Sequence, residues 1–313
     1  MYYIKRQNNI KRGSKLQFFI TFSGKRGRFV RLLREQIPNV FIWPLVKIIL
    51  GIFATQIQNM IIDTHCHLYL DEFKNDIADV IKRAEAENVK KFYLPAIDSS
   101  EIENMLLLEA SFPGKCIAMM GLHPCYVKEN YQQELDIVSH WLTKRQFAAV
   151  GEIGLDFYWD KTFVKQQYEA FRTQIELALQ YNLPIVIHTR EAMQESIDVV
   201  KEYKGKGLKG IFHCFGGTVK NAKEIIDAGF YLGIGGVLTY KKAGLAEVLE
   251  QIDLSYLVLE TDAPYLTPVP FRGKRNESSF LKYIVEKLAL IKNVSTEEIA
   301  AVTTANAQKI FGL

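Results

Sequence analysis

From Met60 onward the chain alternates short apolar runs with longer stretches in which apolar residues recur at spacings of three and four. The short runs are Ile61 to Thr64, Lys91 to Ala96, Cys116 to Gly121, Ala148 to Ile153, Pro184 to His188, Gly210 to His213, Phe230 to Ile234 and Tyr256 to Glu260. Their length and composition predict eight strands. Between the fourth and fifth, Val164, Tyr168, Phe171, Ile175 and Ala178 fall along one helix face, and near the end Phe280, Leu281, Ile284, Val285 and Leu288 do the same. Ser295 followed by Glu298 has the spacing of a capping box for a last helix. Strands alternating with helices predict a parallel sheet joined by crossovers. The 254 residues from Met60 to Leu313 match the ~250 typical of an eight-stranded barrel. The fold class expected is therefore α/β: a single (β/α)8 TIM barrel over residues 60–313, with a basic and hydrophobic N-terminal extension, residues 1–59, outside it. No internal repeat beyond this rhythm, no low-complexity segment and no Pro/Gly/Ser-rich linker divides the body.

Apolar residues make up 48% of the chain, enough to bury a sizeable core. The formal charge of +4 is unevenly spread. Residues 1–60 hold 11 Lys and Arg against one acid, Glu35, which is +10 and leaves −6 for the remainder. A mildly acidic body argues against tight, extended binding of duplex nucleic acid, which needs broad basic surface. The most apolar part of the tail, residues 40–54, is shorter than the ~20 residues of a spanning helix and contains Pro44 and Lys47, so no stable membrane insertion is expected. Its late apolar part and the lack of a small-residue cleavage site do not fit a secretory signal. Three readings of the tail stay open: a basic surface anchor, a disordered arm, or translated sequence upstream of a start at Met60, the last favoured by the position of Met60 directly before the first strand. The four cysteines, Cys66, Cys116, Cys125 and Cys214, lie far apart without CxxC spacing. That pattern indicates neither a thiolate zinc knuckle nor a disulfide framework, and points to free thiols in a reducing, cytoplasmic compartment. Nothing implies an obligate protein partner.

The ionisable residues change the picture most, because they collect at one end of the expected strands. His65 and His67 stand two apart after the first strand and share a face. Glu152 closes the fourth strand, His188 the fifth, His213 the sixth and Asp262 the eighth. In a barrel this end carries the chemistry. Imidazole and carboxylate without thiolate suit zinc, manganese, iron or magnesium, and six side chains exceed what one catalytic ion needs. The expectation is two divalent ions, with Mg, Mn or Zn as candidates, ~3.5–4 Å apart around a bridging hydroxide. Glu152 would bridge them, His65, His67 and Asp262 would serve one ion, and His188 and His213 the other. His123, in GLHP after the third strand, stays open between a phosphate contact and a structural polar residue; His140, in mid-helix, reads as ordinary surface or core. Cys66 and Cys214 should face away from the site as packing residues.

With these residues placed, the chain resembles the TatD family of metal-dependent deoxyribonucleases within the amidohydrolase-like barrels. The likeness runs from about Met60 to Leu313 through DTHCHL, GLHP, GEIGLDFY, PIVIHTREA, HCFGG, ETDAPYL, RGKRNE and TTANAQKIFGL. Any one of these is weak, but their order and spacing together are highly specific. The resemblance implies a two-metal site made by the ligands above, with Asp262 also handling the proton of the catalytic water. The family usually has proline after RGKRNE, where this chain has Ser278, and the first 60 residues have no counterpart in the family pattern.

Phosphodiester hydrolysis needs an in-line nucleophile and neutralisation of charge on the phosphoryl oxygens, and a metal pair supplies both. Asp262 and Glu152 are the expected catalytic residues. Arg190, Arg272, Lys274 and Arg275 are candidates for the substrate backbone against the plainer reading of a solvated charged loop. Phe157, Tyr158, Trp159 and Tyr265 would stack on bases or pack beneath the loops. The expected substrate is nucleic acid, DNA, as a single strand or 3′ end entering the mouth in an exonuclease-like reaction. One rival is a hydrolase of an amide, lactone or other small ester on the same fold. Relatives of that kind often bridge the metals with a carboxylated lysine, where this chain has Glu152. The other rival is a non-catalytic nucleic-acid or membrane-surface binder acting through the tail.

Overall fold

Eight strands form where the short apolar runs lie: β1 (Ile61–Asp63), β2 (Val89–Pro95), β3 (Cys116–Met119), β4 (Val150–Asp156), β5 (Ile185–Arg190), β6 (Gly210–Phe212), β7 (Phe230–Ile234) and β8 (Leu257–Leu259). The computed structural model describes residues 60–312. The N-terminal extension and the three readings of it lie outside the described residues. Among the described residues the helices are α1 (Ile77–Ala86), α2 (Ile102–Ser111), α3 (Tyr131–Lys144), α4 (Val164–Tyr181), α5 (Met193–Lys201), α6 (Val219–Asp227), α7 (Leu245–Leu249), α8 (Leu281–Lys292) and α9 (Thr296–Phe311). None of them is long and apolar enough to cross a membrane.

All strand pairs are parallel and join neighbours in sequence, in one ladder from β1 to β3 and another from β4 to β8. Backbone bonds carry the order across both seams. Gly151 N–H donates to Met120 O at 2.9 Å between β3 and β4, and Thr64 N–H to Leu259 O at 3.0 Å between β8 and β1. The order therefore returns to its start, as in a (β/α)8 barrel. The helices bury the faces that the sequence periodicity marked: Phe171, Ile175 and Ala178 of α4 and Leu281, Ile284 and Leu288 of α8 are in the core between helices and sheet. Half of the expected capping box of α9 forms: Ser295 Oγ accepts the Glu298 N–H at 3.1 Å, without the return bond from the Glu298 side chain.

Inside the ring lies a second apolar cluster, Ile62, Tyr93, Met119, Val186, Ile211 and Val258, closed by Ala307 and Ile310 of α9. One expected boundary moves. Glu152 and His188 do not close their strands, because β4 and β5 stay paired through Asp156 and Arg190. Glu152 and His188 are thus held within strands, whereas His65, His67, His213 and Asp262 stand just past the ends of β1, β6 and β8.

Candidate metal centre

Six expected ligands and His123 meet above that apolar cluster. Glu152, 2% exposed, divides its two oxygens between two groups of imidazoles. Oε2 lies 3.1 Å from His65 Nε2 and 3.6 Å from His67 Nε2. Oε1 lies 2.9 Å from His188 Nδ1, 3.0 Å from His213 Nε2 and 3.4 Å from His123 Nε2. Asp262 Oδ1 stands 3.7 and 3.5 Å from the Nε2 atoms of His65 and His67. Asp262 leaves β8 in a left-handed turn, φ 56°, a conformation that Asp tolerates better than most residues. Its N–H donates to His65 O at 2.9 Å, which ties the end of β8 to the end of β1.

The far side of each ring decides what the near side offers, because a neutral imidazole has one donor and one acceptor nitrogen. Tyr69 donates its hydroxyl proton to Pro95 O at 2.6 Å. His67 Nδ1, 3.1 Å from the Tyr69 hydroxyl oxygen, must therefore carry the ring proton and leave Nε2 a lone pair facing inward. His188 donates from Nε2 to Asp156 Oδ2 at 2.8 Å, leaving Nδ1 toward Glu152. His213 Nδ1 stands 3.4 Å from Glu260 Oε1 without hydrogen-bond geometry, again on the outer side of the ring. His65 Nδ1 has no partner, so nothing beyond the site sets its tautomer. His123 is the opposite case. Its Nδ1 accepts the Cys125 N–H at 3.1 Å, so the proton sits on Nε2 and points at the site. His123 lies in a triad with Glu152 and His188 close enough to hold an ion, yet its tautomer makes it a donor.

Lone pairs of His67 and His188 thus face carboxylate oxygens, an arrangement that is repulsive until a cation or protons enter. Without metal, His188 and His213 favour the protonated form. Burial opposes charge on His213, but Glu152 and Glu260 outweigh it and raise the ring well above its ordinary value. Burial likewise opposes charge on His188, and its bonds to Asp156 and Glu152 raise it. Burial, with His213 beside it, lowers His65. Burial works to raise Glu152, but the His213, His123 and His65 imidazoles hold it well below the usual carboxylate range. Asp262 is also lowered against burial, through His67, His213 and His65. Two triads, His65–His67–Glu152 and His65–His213–Asp262, have ligand atoms within 4.8 Å of one another and could each hold an ion. The donor set fits divalent metal, since nitrogen and oxygen ligands without thiolate suit such ions and outer partners on the imidazoles orient them for ligation.

Three acids that the sequence reading passed over support this set. Asp156 is held ionised, against burial, by His188 and by the N–H groups of Trp159 and Tyr158. Glu260 Oε1 accepts the Cys214 N–H, and its Oε2 fits because residue 233 is glycine: a Cβ there would lie 2.1 Å from that oxygen. Asp63, behind His65, accepts from Thr261 Oγ1 and Ser278 Oγ, each at 2.6 Å. Each stands two or four residues from an expected ligand, Asp156 on the strand of Glu152 and the other two at the ends of β1 and β8.

The expected substrate contacts separate. Arg190 stacks over Tyr158 at 3.8 Å and Trp159 at 5.2 Å, with Trp159 68% exposed. Arg272 lies 4.0 Å over Tyr240, and Lys274 5.5 Å from the Phe271 ring centre. Arg275 is engaged elsewhere, in a two-pronged pair with Asp76 at 2.8 and 2.7 Å that braces the loop against the start of α1. Phe157 packs against the core, whereas Tyr265 is half exposed. Cys66 turns out of the site into the layer beneath the helices.

A family model described as TatD related DNase matches residues 62–312. An uncharacterized metal-dependent hydrolase, YabD, from Bacillus subtilis is 39% identical over 253 residues, covering 80% of this chain and 99% of that protein. A protein named 3′-5′ ssDNA/RNA exonuclease TatD, from Erwinia tasmaniensis, is 32% identical over 257 residues, covering 80% of this chain and 99% of its own. Among solved structures, the TatD homolog YjjV of Escherichia coli superposes with a TM-score of 0.77 at 27% identity, over 82% of this chain and 99% of that one.

Proposed function

The chain belongs to the TatD family of metal-dependent hydrolases, and from that premise we propose that it is a deoxyribonuclease cleaving phosphodiester bonds at single-stranded 3′ ends. The observation that carries the reading is the division of Glu152, one oxygen toward His65 and His67, the other toward His188 and His213. In this proposal His65, His67 and Asp262 would hold one divalent ion, His188 and His213 would hold a second, and Glu152 would serve both. Such a pair would neutralise the diester's charge and make a water easier to deprotonate.

The chain's own residues do the rest. Asp262, 14% exposed where Glu152 and His65 are 2% and 0%, looks into the mouth and accepts the proton of the attacking water. His123 donates from Nε2 to a nonbridging phosphoryl oxygen, since its other nitrogen is taken by Cys125 N–H. Arg190 on its Tyr158–Trp159 platform meets the strand at the β4–β5 rim, where a base can stack on exposed indole. Arg272 and Lys274 meet it at the β8 rim, while Arg275 positions the loop. The name of the Erwinia relative, a 3′-5′ ssDNA/RNA exonuclease, supports a 3′ end and makes RNA a second substrate to test.

The test is chelation followed by reloading with magnesium, manganese or zinc, assayed on end-labelled single-stranded DNA and RNA, closed circular DNA, a cyclic amide and a lactone. Stepwise loss from the 3′ end, dependent on added metal, is the expected result. Equal cutting of closed circles, or turnover of the amide or lactone alone, overturns the proposal.

A further inference from the structure

The loops that follow β7 and β8, residues 235–244 and 263–276, carry Lys241, Lys242, Arg272, Lys274 and Arg275 and no acid, on a body whose charge beyond the tail is −6. Arg275 is neutralised by Asp76, but none of the other four has an ion-pair partner among the described residues. Between the loops lies a cavity of about 500 Å³ lined by Thr239, Tyr240, Lys241, Lys242, Val269 and Arg272. That volume falls within the range of ligand pockets, roughly 300–1,000 Å³.

The cavity walls are braced. Val269 N–H donates to Thr239 Oγ1 at 2.9 Å, and Tyr240 donates its hydroxyl to Thr267 O at 3.0 Å. A Cβ on residue 236 would lie 2.0 Å from Leu266 O, so only glycine there lets the loops close this tightly. Arg272 rests on the Tyr240 ring, which orders its guanidinium before any ligand arrives. The loop that supplies Val269 and Arg272 to the cavity also follows directly on Asp262 and is pinned there. Tyr265 N–H donates to Asp262 O at 2.8 Å, and Asn276 Nδ2 donates to Thr261 O and Tyr265 O at 2.8 and 2.7 Å.

We propose that this cavity is a subsite for the phosphodiester backbone of a single strand next to the scissile bond, with Lys241, Lys242 and Arg272 on phosphates and Tyr240 and Val269 beneath a sugar or base. It rests on the nuclease reading above. Cations distributed across an open, partly apolar cavity match a strand of repeating charge better than one small anion, which would need a closed shell of donors.

The test compares wild type with the full-length double variant Lys241→Ala/Lys242→Ala. Binding of a fluorescent single-stranded 20-mer is titrated with salt under chelation, and metal-loaded turnover is measured on the same oligonucleotide and on bis(p-nitrophenyl) phosphate. Expected are a fall of about 1.4 in the slope of log affinity against log salt, at ~0.7 per lost contact, and a loss of oligonucleotide kcat/KM about tenfold larger than the loss on the small diester. If wild type cuts the oligonucleotide and the variant keeps both slope and ratio, the subsite is wrong and the nuclease reading stands. The subsite is also overturned if inorganic phosphate competes for the cavity equally in both proteins. If wild type hydrolyses neither phosphodiester, the nuclease reading falls, and the salt slopes alone decide the cavity.

Discussion

The floor and the mouth of the barrel are built from the same strands and have opposite energetics. At the floor, Ile62, Tyr93, Met119, Val186, Ile211 and Val258 pack against Ala307 and Ile310, and Phe311 stacks on Tyr93 at 3.9 Å. At the mouth, two residues beyond Val186 and Ile211, stand His188 and His213. The two-residue step keeps a side chain on the same face of a strand, so identity alone turns a packing position into a chemical one. Burying the floor favours folding by roughly 25 cal/mol per Å² of apolar surface. Burying the mouth opposes folding unless its charges are paired. The fold therefore supports the site, and the site does little to support the fold.

The largest expected effect tests that asymmetry at its centre. Glu152→Ala removes the one carboxylate shared by both imidazole groups, and the metal-loaded variant should lose at least about 10³-fold in kcat. Under chelation it should still unfold in one cooperative transition, because the apolar floor is unchanged, although His188 and His213 lose their shared carboxylate. A variant that is active, or one that fails to fold with or without metal, would break the comparison. The opposite pattern is expected at the floor. Ile211→Ala should lower stability by about 2–5 kcal/mol, read by denaturant unfolding, while kcat per folded molecule stays within a few-fold.

The mouth was legible in the sequence to the extent that it obeys strand alternation. His65, His67, Glu152, His188, His213 and Asp262 were identifiable because each sits at or near the same end of an apolar run. The partners that set their chemistry were less so. Nothing in the sequence singles out Asp156 and Glu260, beyond their even spacing from Glu152 and Asp262. The donor role of His123 depends on a backbone N–H two residues on, which spacing alone does not reveal. Arg275 is withdrawn from the substrate by Asp76, 199 positions earlier, and the Tyr240–Arg272 wall joins two loops that only the barrel brings together.

A smaller effect separates holding a ligand from being one. Asp156→Asn weakens the acceptor for His188 Nε2–H and frees that ring to turn its proton inward. Loss of such a partner typically lowers metal affinity by about 10–100-fold, measured here by calorimetry. The pH dependence has a definite sign. His188 and His213 are raised above their ordinary value in the metal-free protein and must lose protons to bind metal. Wild-type affinity should therefore rise with pH through neutrality and beyond, with proton release visible as a buffer-dependent heat. Uptake of protons, or affinity independent of pH, would contradict the raised values of these rings.

The smallest effect lies behind the mouth, at the position where the family usually has proline. Ser278 Oγ donates to Asp63 Oδ2 at 2.6 Å, and Asp63 also accepts from Thr261 and braces the turn into His65. Burial raises Asp63 to about 7, against these hydrogen bonds, which pull it down. A carboxyl whose folded value exceeds its unfolded one contributes stability that is full below the unfolded value, near 4, and lost as pH rises through about 7. Ser278→Ala removes a bond that favours the ionised form, so Asp63 should rise further and the loss should extend to higher pH. Under chelation the variant should match wild type within a few tenths of a kcal/mol at pH 5. At pH 8.5 it should be less stable by about 1.5–3 kcal/mol, the scale of a hydrogen bond to a charged group. Urea unfolding at the two values reads the difference directly, and an equal deficit at both would mean that Ser278 acts by packing alone.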